Sequence, residues 1–284
     1  MKIIDIYKEK RPVLSLEVFP PKQGYSLNSV FKTLSALQDL NPSFVSVTHA
    51  SQWESTERTV EIASRVRNEY SCESLAHITC FGHSRQEVSV VLDDLYNRGV
   101  RNVLALRGDV PPENVKIKTD YQFASTLIAE ISESKRFCVG AAAYPEGHIE
   151  SERISHDLDN LRRKVDAGAE FLITQLFFDN RIFYDFLERA RYRNIKVPIV
   201  PGIMPILNYK QIKRILMMCE VSIPAKLLNI FDKYSSNPED LAKAGIDYAI
   251  KQIDNLLDND VEGIHLYTMN KVKEIKEIVS RSGI

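Results

Sequence analysis

The sequence has few of the features that would place it outside a reducing, aqueous compartment. Its four cysteines, Cys72, Cys80, Cys138 and Cys219, are dispersed among 284 residues with no CxxC pair, which argues against a disulfide framework or a zinc site. The opening MKIIDIYKEKRP has no apolar core of roughly ten residues, so it does not read as an export signal. The longest apolar run, Val197 to Leu207, contains three prolines and is well short of the ~20 residues a membrane span requires. A cytoplasmic protein without a membrane partner is expected. Basic residues are not in excess either: net charge is −1, and phosphate backbones are bound by clustered Lys and Arg, so nucleic acid is not the expected partner. The chain has no GxGxxG, no GxxxxGK[ST] and no GxSxG. These absences remove support for a Rossmann dinucleotide site, a P-loop and a hydrolase elbow.

What is present is a regular alternation. Apolar runs of strand length begin at Val13, Phe44, Leu75, Asn102, Phe137, Phe171, Pro198 and Gly263, and segments of helical period separate them. Leu27, Val30, Phe31, Leu34, Leu37 and Leu40 fall at spacings of three and four, one apolar stripe on a helix. Ser84 with Glu87 is a capping-box signature, and Gly99 and Gly168 close helices. Near-continuous apolar strands are buried on both faces, as in parallel sheets. Eight strand–helix units in one chain of this length predict a single-domain α/β fold over residues 1–284, a (β/α)8 TIM barrel. The stretch from Cys219 to Val261 exceeds one crossover. It predicts two or three extra helices inserted before the last strand, one of them starting at Asn237-Pro238.

In such barrels catalytic groups come from the carboxyl ends of several strands, and here the strand ends are polar. The first carries Glu17 and the second ends in Thr48 and His49. The third contains His77 and Thr79, and the fourth runs into Arg107, Gly108 and Asp109. The fifth ends in Tyr144 with Glu146 and His148 beyond, the sixth contains Gln175, and the last contains Tyr267 and Asn270. Alone, Arg-Gly-Asp reads as a turn with an ion pair; beside the other polar strand ends it reads as part of a site. Glu17 stands out, because a barrel has no edge at which a carboxylate on an apolar strand could be solvated; it must be hydrogen-bonded or have a raised pKa. Glu146 and His148 have no third ligand at helical spacing, so no metal site is expected. Spacing alone therefore yields an enzyme with a buried acid, Glu17, and a second carboxylate, Asp109, beside Arg107.

Eight stretches, in order, resemble the methylenetetrahydrofolate reductase family in its short bacterial form. They are LEVFPPK (16–22), VSVTHAS (45–51), AHITCFG (76–82), LALRGDVPP (104–112), AAAYPEGHIE (141–150), RRKVDAGAEFLITQLFFD (162–179), VPIVPGIMPI (197–206) and HLYTMNK (265–271). The resemblance implies FAD at the carboxyl ends of the strands. It implies reduction of 5,10-methylenetetrahydrofolate to 5-methyltetrahydrofolate by NAD(P)H, the two substrates taking turns, and a homo-oligomer. It places FAD contacts on Thr48, His77, Arg107, Gly108, Asp109, Ala142, Tyr144, His148, Asp157 and Lys164. Folate contacts fall on Glu17, Asp109, Gln175, Phe231, Tyr267 and Lys271, with Glu17 and Asp109 catalytic. The family pattern has Arg where this chain has Lys271, which keeps the charge but loses the bidentate fork. The rival readings are another flavin- or pterin-dependent TIM-barrel enzyme and a non-catalytic flavin- or folate-binding protein.

Overall fold

Successive strands pair in parallel with their neighbours, and the two ends of the resulting sheet are the halves of one interrupted strand. The computed structural model describes residues 1–22, 24–49, 56–108, 119–219 and 221–284. After a short helix α1 (Ile3–Glu9), the chain alternates. It forms β1 (Val13–Val18), α2 (Asn28–Leu37), β2 (Phe44–Val47), α3 (Glu57–Glu69), β3 (Glu73–Thr79), α4 (Arg85–Asn97) and β4 (Asn102–Leu106). It continues with α5 (Ala124–Glu133), β5 (Cys138–Ala143), α6 (Ile154–Asp166), β6 (Phe171–Thr174) and α7 (Asn180–Tyr192). Then come β7 (Ile199–Val200), β8 (Gly202–Ile203), α8 (Tyr209–Cys219), α9 (Ala225–Tyr234), α10 (Pro238–Leu257), β9 (Gly263–Tyr267) and α11 (Val272–Arg281).

The strand order is β7-β6-β5-β4-β3-β2-β1-β9-β8. Because only Pro201 separates β7 from β8, the sheet wraps into a nearly closed barrel. The sequence predicts one strand from Pro198 to Ile203, and the structure divides it. Proline has no N–H to give a ladder. Its carbonyl still accepts from the His265 N–H at 3.0 Å, so β7 leans on β6 and β8 on β9. The helices after the barrel's seventh position follow expectation. Asn208 Oδ1 accepts from the Gln211 N–H at the start of α8. Asn237 Oδ1 accepts from the N–H groups of Glu239 and Asp240 ahead of α10, with Pro238 first in the helix. The capping box of α4 is formed in both directions, an arrangement that stabilises a helix by about 1 kcal/mol.

Helix α1 was not foreseen; its sequence had been weighed only as an export signal. Ile3, Ile6 and Tyr7 are buried against Val13, Phe44, Leu75, Leu104, Cys138 and Phe171 at the amino end of the barrel. Asn102, at the start of β4, holds the helix: its Oδ1 accepts from the Ile3 N–H at 2.8 Å. Burying each such side chain contributes on the order of 2 kcal/mol. The amino end of the barrel is thereby covered by an apolar cluster. Among the described residues no helix is long and apolar enough to cross a membrane.

Candidate active site

Strand register brings the first group of site residues to one level. Glu17 lies opposite Ser46 of β2 on one side and opposite Tyr267 of β9 on the other. Side chains two apart on a strand share a face, so Ser15 lies below Glu17 and His265 below Tyr267. Glu17 is only 5% exposed, His77 6% and His265 0%. A carboxylate that dry needs partners, and it has two imidazoles. His265 Nε2 stands 3.2 Å from Glu17 Oε2, and His77 Nε2 stands 3.4 Å from the same oxygen. Each histidine is held in turn by a serine: Ser46 Oγ is 2.7 Å from His77 Nε2, and Ser15 Oγ is 2.8 Å from His265 Nδ1. The Phe44 ring stacks on His265 at 6.4 Å between centroids. Burial drives the His77 pKa down to about 4, overriding the opposing pull of Glu17, so its ring is neutral at physiological pH.

Tyr267 closes this layer. Its hydroxyl donates to the Thr174 carbonyl at 2.7 Å, and its ring meets His265 edge-on at 5.2 Å. Burial, then the charge of Glu17, raises its pKa well above the ordinary tyrosine value. Gly202 makes the arrangement possible. A Cβ there would stand 2.4 Å from the Thr174 carbonyl oxygen and 2.8 Å from the Tyr267 hydroxyl, so the close approach requires glycine.

The second group draws its charged residues from the segments after β4 and β5 and from α6. Arg107 makes a bidentate pair with Glu150, at 2.5 and 2.6 Å, and holds that carboxyl below its usual pKa. The next residue, Gly108, has φ +86° beside the Thr79 side chain, a conformation that glycine adopts without strain. Lys164 Nζ donates to the Ala142 carbonyl at 2.9 Å and lies 5.4 Å from the centre of the Tyr144 ring. Burial lowers its pKa to about 8; Asp157 opposes that and Arg107 adds to it. The Tyr144 and His148 rings meet edge-on at 4.8 Å. His148 is pushed down by burial and then by Arg107. Asp157 is pushed up by burial, although Ser151 Oγ donates to it at 3.3 Å. Arg107 and Lys164, with His148 between them in influence, supply the donor chemistry that binds an anion such as a pyrophosphate.

The structure thus brings Arg107, Gly108, Ala142, Tyr144, His148, Asp157 and Lys164 into one cluster, and Glu17, His77 and Tyr267 into another. Thr48 stands just past β2, its N–H donating to the Val18 carbonyl at 3.2 Å. Gln175 stands just past β6 and turns back on itself, Oε1 accepting from the Leu176 N–H. Phe231 is packed into an apolar cluster with Ile206, Leu227 and Leu241, against which Tyr267 also leans. Its ring is covered by that packing rather than presented to a ligand. Lys271 is exposed at the amino end of α11. Asp109 lies outside the described residues. Glu146 is spent on structure, accepting from the Ser222 N–H at 2.9 Å. Among the described residues no group of three or more His, Cys, Asp or Glu side chains is arranged to hold a metal ion. His265, Ser15, Ser46 and Glu150 were not singled out from the sequence. The signal for two of them was there: Ser15 is two residues before Glu17, and His265 two before Tyr267, hence on their faces.

Comparison with known proteins decides the family. The sequence matches the methylenetetrahydrofolate reductase family profile over residues 2–283. The chain belongs to that family. Its members are oxidoreductases, and the relatives it resembles span bacteria and plants. It is 34% identical over 271 residues to the 5,10-methylenetetrahydrofolate reductase of Escherichia coli K12, covering 95% of this chain and 90% of the relative. It is 33% identical over 302 residues to methylenetetrahydrofolate reductase (NADH) 1 of Arabidopsis thaliana, matching all of this chain and 51% of that one. Among solved structures, an uncharacterized protein from Clostridium thermocellum that binds two copies of 5-methyl-5,6,7,8-tetrahydrofolic acid superposes with a TM-score of 0.69. That match covers 98% of this chain and 96% of the other at 16% identity, a likeness of fold. The barrel anticipated from the strand count is the one this reductase family member adopts.

Proposed function

We propose that this chain is a cytoplasmic flavoenzyme that reduces 5,10-methylenetetrahydrofolate to 5-methyltetrahydrofolate, with FAD bound at the rim and NADH or NADPH as electron donor. The two substrates alternate at one flavin, and the enzyme works as a homo-oligomer. The observation that carries the reading is Glu17, a carboxyl group almost without solvent, held between two imidazoles in a chain that matches the reductase family over nearly its whole length. The four free thiols suit a reducing compartment.

The residues present fit FAD. The donors a pyrophosphate needs are at the rim: the Arg107 guanidinium, the Lys164 ammonium and the His148 ring, with a bare backbone at Gly108. Arg107 would hold the pyrophosphate by its fork, exchanging or sharing Glu150, and Lys164 would neutralise the second phosphate or a neighbouring group. Thr48, His77, Ala142, Tyr144 and Asp157 are assigned to further contacts with it. Bound there, the flavin supplies the hydride.

The chain's own part is acid chemistry. The methylene bridge of the folate opens when N10 takes a proton, breaking the bond from the bridge carbon to N10 and leaving a 5-iminium carbon able to accept hydride. Glu17 is assigned to supplying that proton as the general acid. Asp109 is assigned to stabilising the cation, as an anion beside developing positive charge does. Gln175, Tyr267 and Lys271 orient the folate, and Phe231 offers a stacking face once it is uncovered. Purified protein should carry a flavin spectrum that NADH or NADPH bleaches without oxygen and that methylenetetrahydrofolate restores. Protein that neither carries nor takes up FAD would overturn the reading.

A further inference from the structure

We propose that Thr174 is a positioning residue that joins the two sides of the barrel at its break and so holds Gln175 in place for the folate. The proposal rests on the assignment of Gln175 to the folate. Its ground is the seam at Pro201. β6 pairs with β7 and β8 with β9, and among the described residues no ladder joins β6 to β8. Thr174, the last residue of β6 and wholly buried, spans that gap twice. Its Oγ1 accepts from the Gly202 N–H of β8 at 2.9 Å. Its carbonyl accepts from the Tyr267 hydroxyl of β9 at 2.7 Å. The atoms themselves fix both directions, because a backbone N–H, or a hydroxyl facing a carbonyl, can only donate. The next residue extends the join: the Gln175 N–H donates to the Ala143 carbonyl of β5 at 2.7 Å. Strands β5, β8 and β9 are thus tied at two consecutive residues.

Gln175 inherits this join. It spends its Oε1 on the Leu176 N–H at 2.9 Å. A backbone N–H requires an acceptor, so the amide oxygen is the atom used. Nε2 is then the end with donors left for an acceptor atom of the folate. Where that amide sits depends on the backbone from 174 to 176, and the Thr174 side chain anchors it to β8. Gly202 is buried, and without Oγ1 its N–H would lose this acceptor. A buried donor left unpaired is costly enough that the backbone shifts to find another partner. Gly202 has little freedom to do so, because a Cβ there would already stand 2.4 Å from the Thr174 carbonyl and 2.8 Å from the Tyr267 hydroxyl. The segment that gives way at this seam is the one carrying Gln175.

The test measures binding of methylenetetrahydrofolate to the oxidised, FAD-loaded protein by calorimetry, and flavin reduction by NAD(P)H by anaerobic rapid mixing. Thr174→Val keeps the shape of the side chain and removes the acceptor. It should weaken folate binding about tenfold, the size of one buried hydrogen bond, and leave flavin reduction unchanged. Thr174→Ser, which restores the hydroxyl, should recover most of that loss. The deciding result is the cycle with Gln175→Ala: if Thr174 acts through Gln175, the double variant binds folate about as well as Gln175→Ala alone. Losses that multiply, no recovery with serine, or equal losses in folate binding and flavin reduction overturn the proposal. Where Thr174→Val does not retain FAD, Thr174→Ala takes its place in the cycle. Loss of FAD from both assigns Thr174 to the barrel as a whole and also overturns the proposal. Gln175→Ala separates the two claims: unchanged folate binding in that variant sinks its assignment to the folate, whereas weakened binding with multiplying losses sinks only the role of Thr174.

Discussion

The two halves of the site solve opposite problems. The inner layer around Glu17 is buried: two imidazoles, each in contact with a serine hydroxyl, stand against one carboxyl group. The rim around Arg107 and Lys164 is partly wet and built of paired charges, a guanidinium on Glu150 and an ammonium near Asp157. In the first, every polar side chain is satisfied by another side chain of the same layer rather than by solvent. In the second, each cation is matched by a carboxylate, Glu150 for Arg107 and Asp157 for Lys164, so an incoming anion would have to compete with protein carboxylates. One barrel end thus separates a buried layer of imidazole, hydroxyl and carboxyl groups from a rim of ion pairs.

That contrast can be broken from either side. The largest effect should come from Glu17→Gln: folate reduction falls by about a thousandfold or more, in the range expected for removing a general acid, while flavin reduction by NAD(P)H persists. Single-turnover traces of each half-reaction check this, and equal losses in both would erase the division. Next, Lys164→Met should weaken FAD binding by about ten- to a hundredfold, the size of one charge-assisted hydrogen bond in a dry setting; titration of apoprotein followed by flavin fluorescence measures it, and little change would remove the lysine from the anion site.

The pH dependence of FAD affinity comes third. Lys164 has its pKa lowered to about 8 by burial. It is charged below that value and neutral above it, so affinity should be level at neutral pH and decline as pH rises through about 8. Lys164→Met should flatten that decline, and a decline of the same shape in the variant would assign it to another group. The smallest effect is expected for Glu150→Gln. Glu150 is half exposed, and such pairs are worth roughly 0.2–1 kcal/mol. Removing the competing carboxylate should therefore tighten FAD binding by at most about fivefold. Weaker binding would show that Glu150 helps to hold the cofactor rather than competing with it.

Much of the barrel was legible because each strand is buried on both faces and so reads as a short apolar run. β1, β4, β5 and β9 begin within a residue of where the runs do. The seventh run hid its break, since Pro201 interrupts the ladder without interrupting the hydropathy. Helix α1 was illegible for another reason: seven residues give less than two helical turns of periodicity, and what fixes them is the barrel floor they cover. Within the site, Glu17 announced itself as a carboxyl on an apolar strand. Its partners did not: His77 is on another strand, and His265 is 248 residues away. Arg107 and Glu150, 43 residues apart, are likewise brought together only by the loops. Residue type marks a candidate, and closure of the barrel decides what it touches.

The pairing of β1 with β9 also orders events in time. Glu17 emerges from the ribosome early, yet the strand that carries His265 and completes its hydrogen bonding comes near the end of the sequence. Contacts across so long a loop form late and slowly. Until β9 docks, burying Glu17 means burying a carboxyl without its histidine, and hydration is the better alternative. His265 is thus also a checkpoint on assembly, and the first strand has its full set of partners only when the last has arrived.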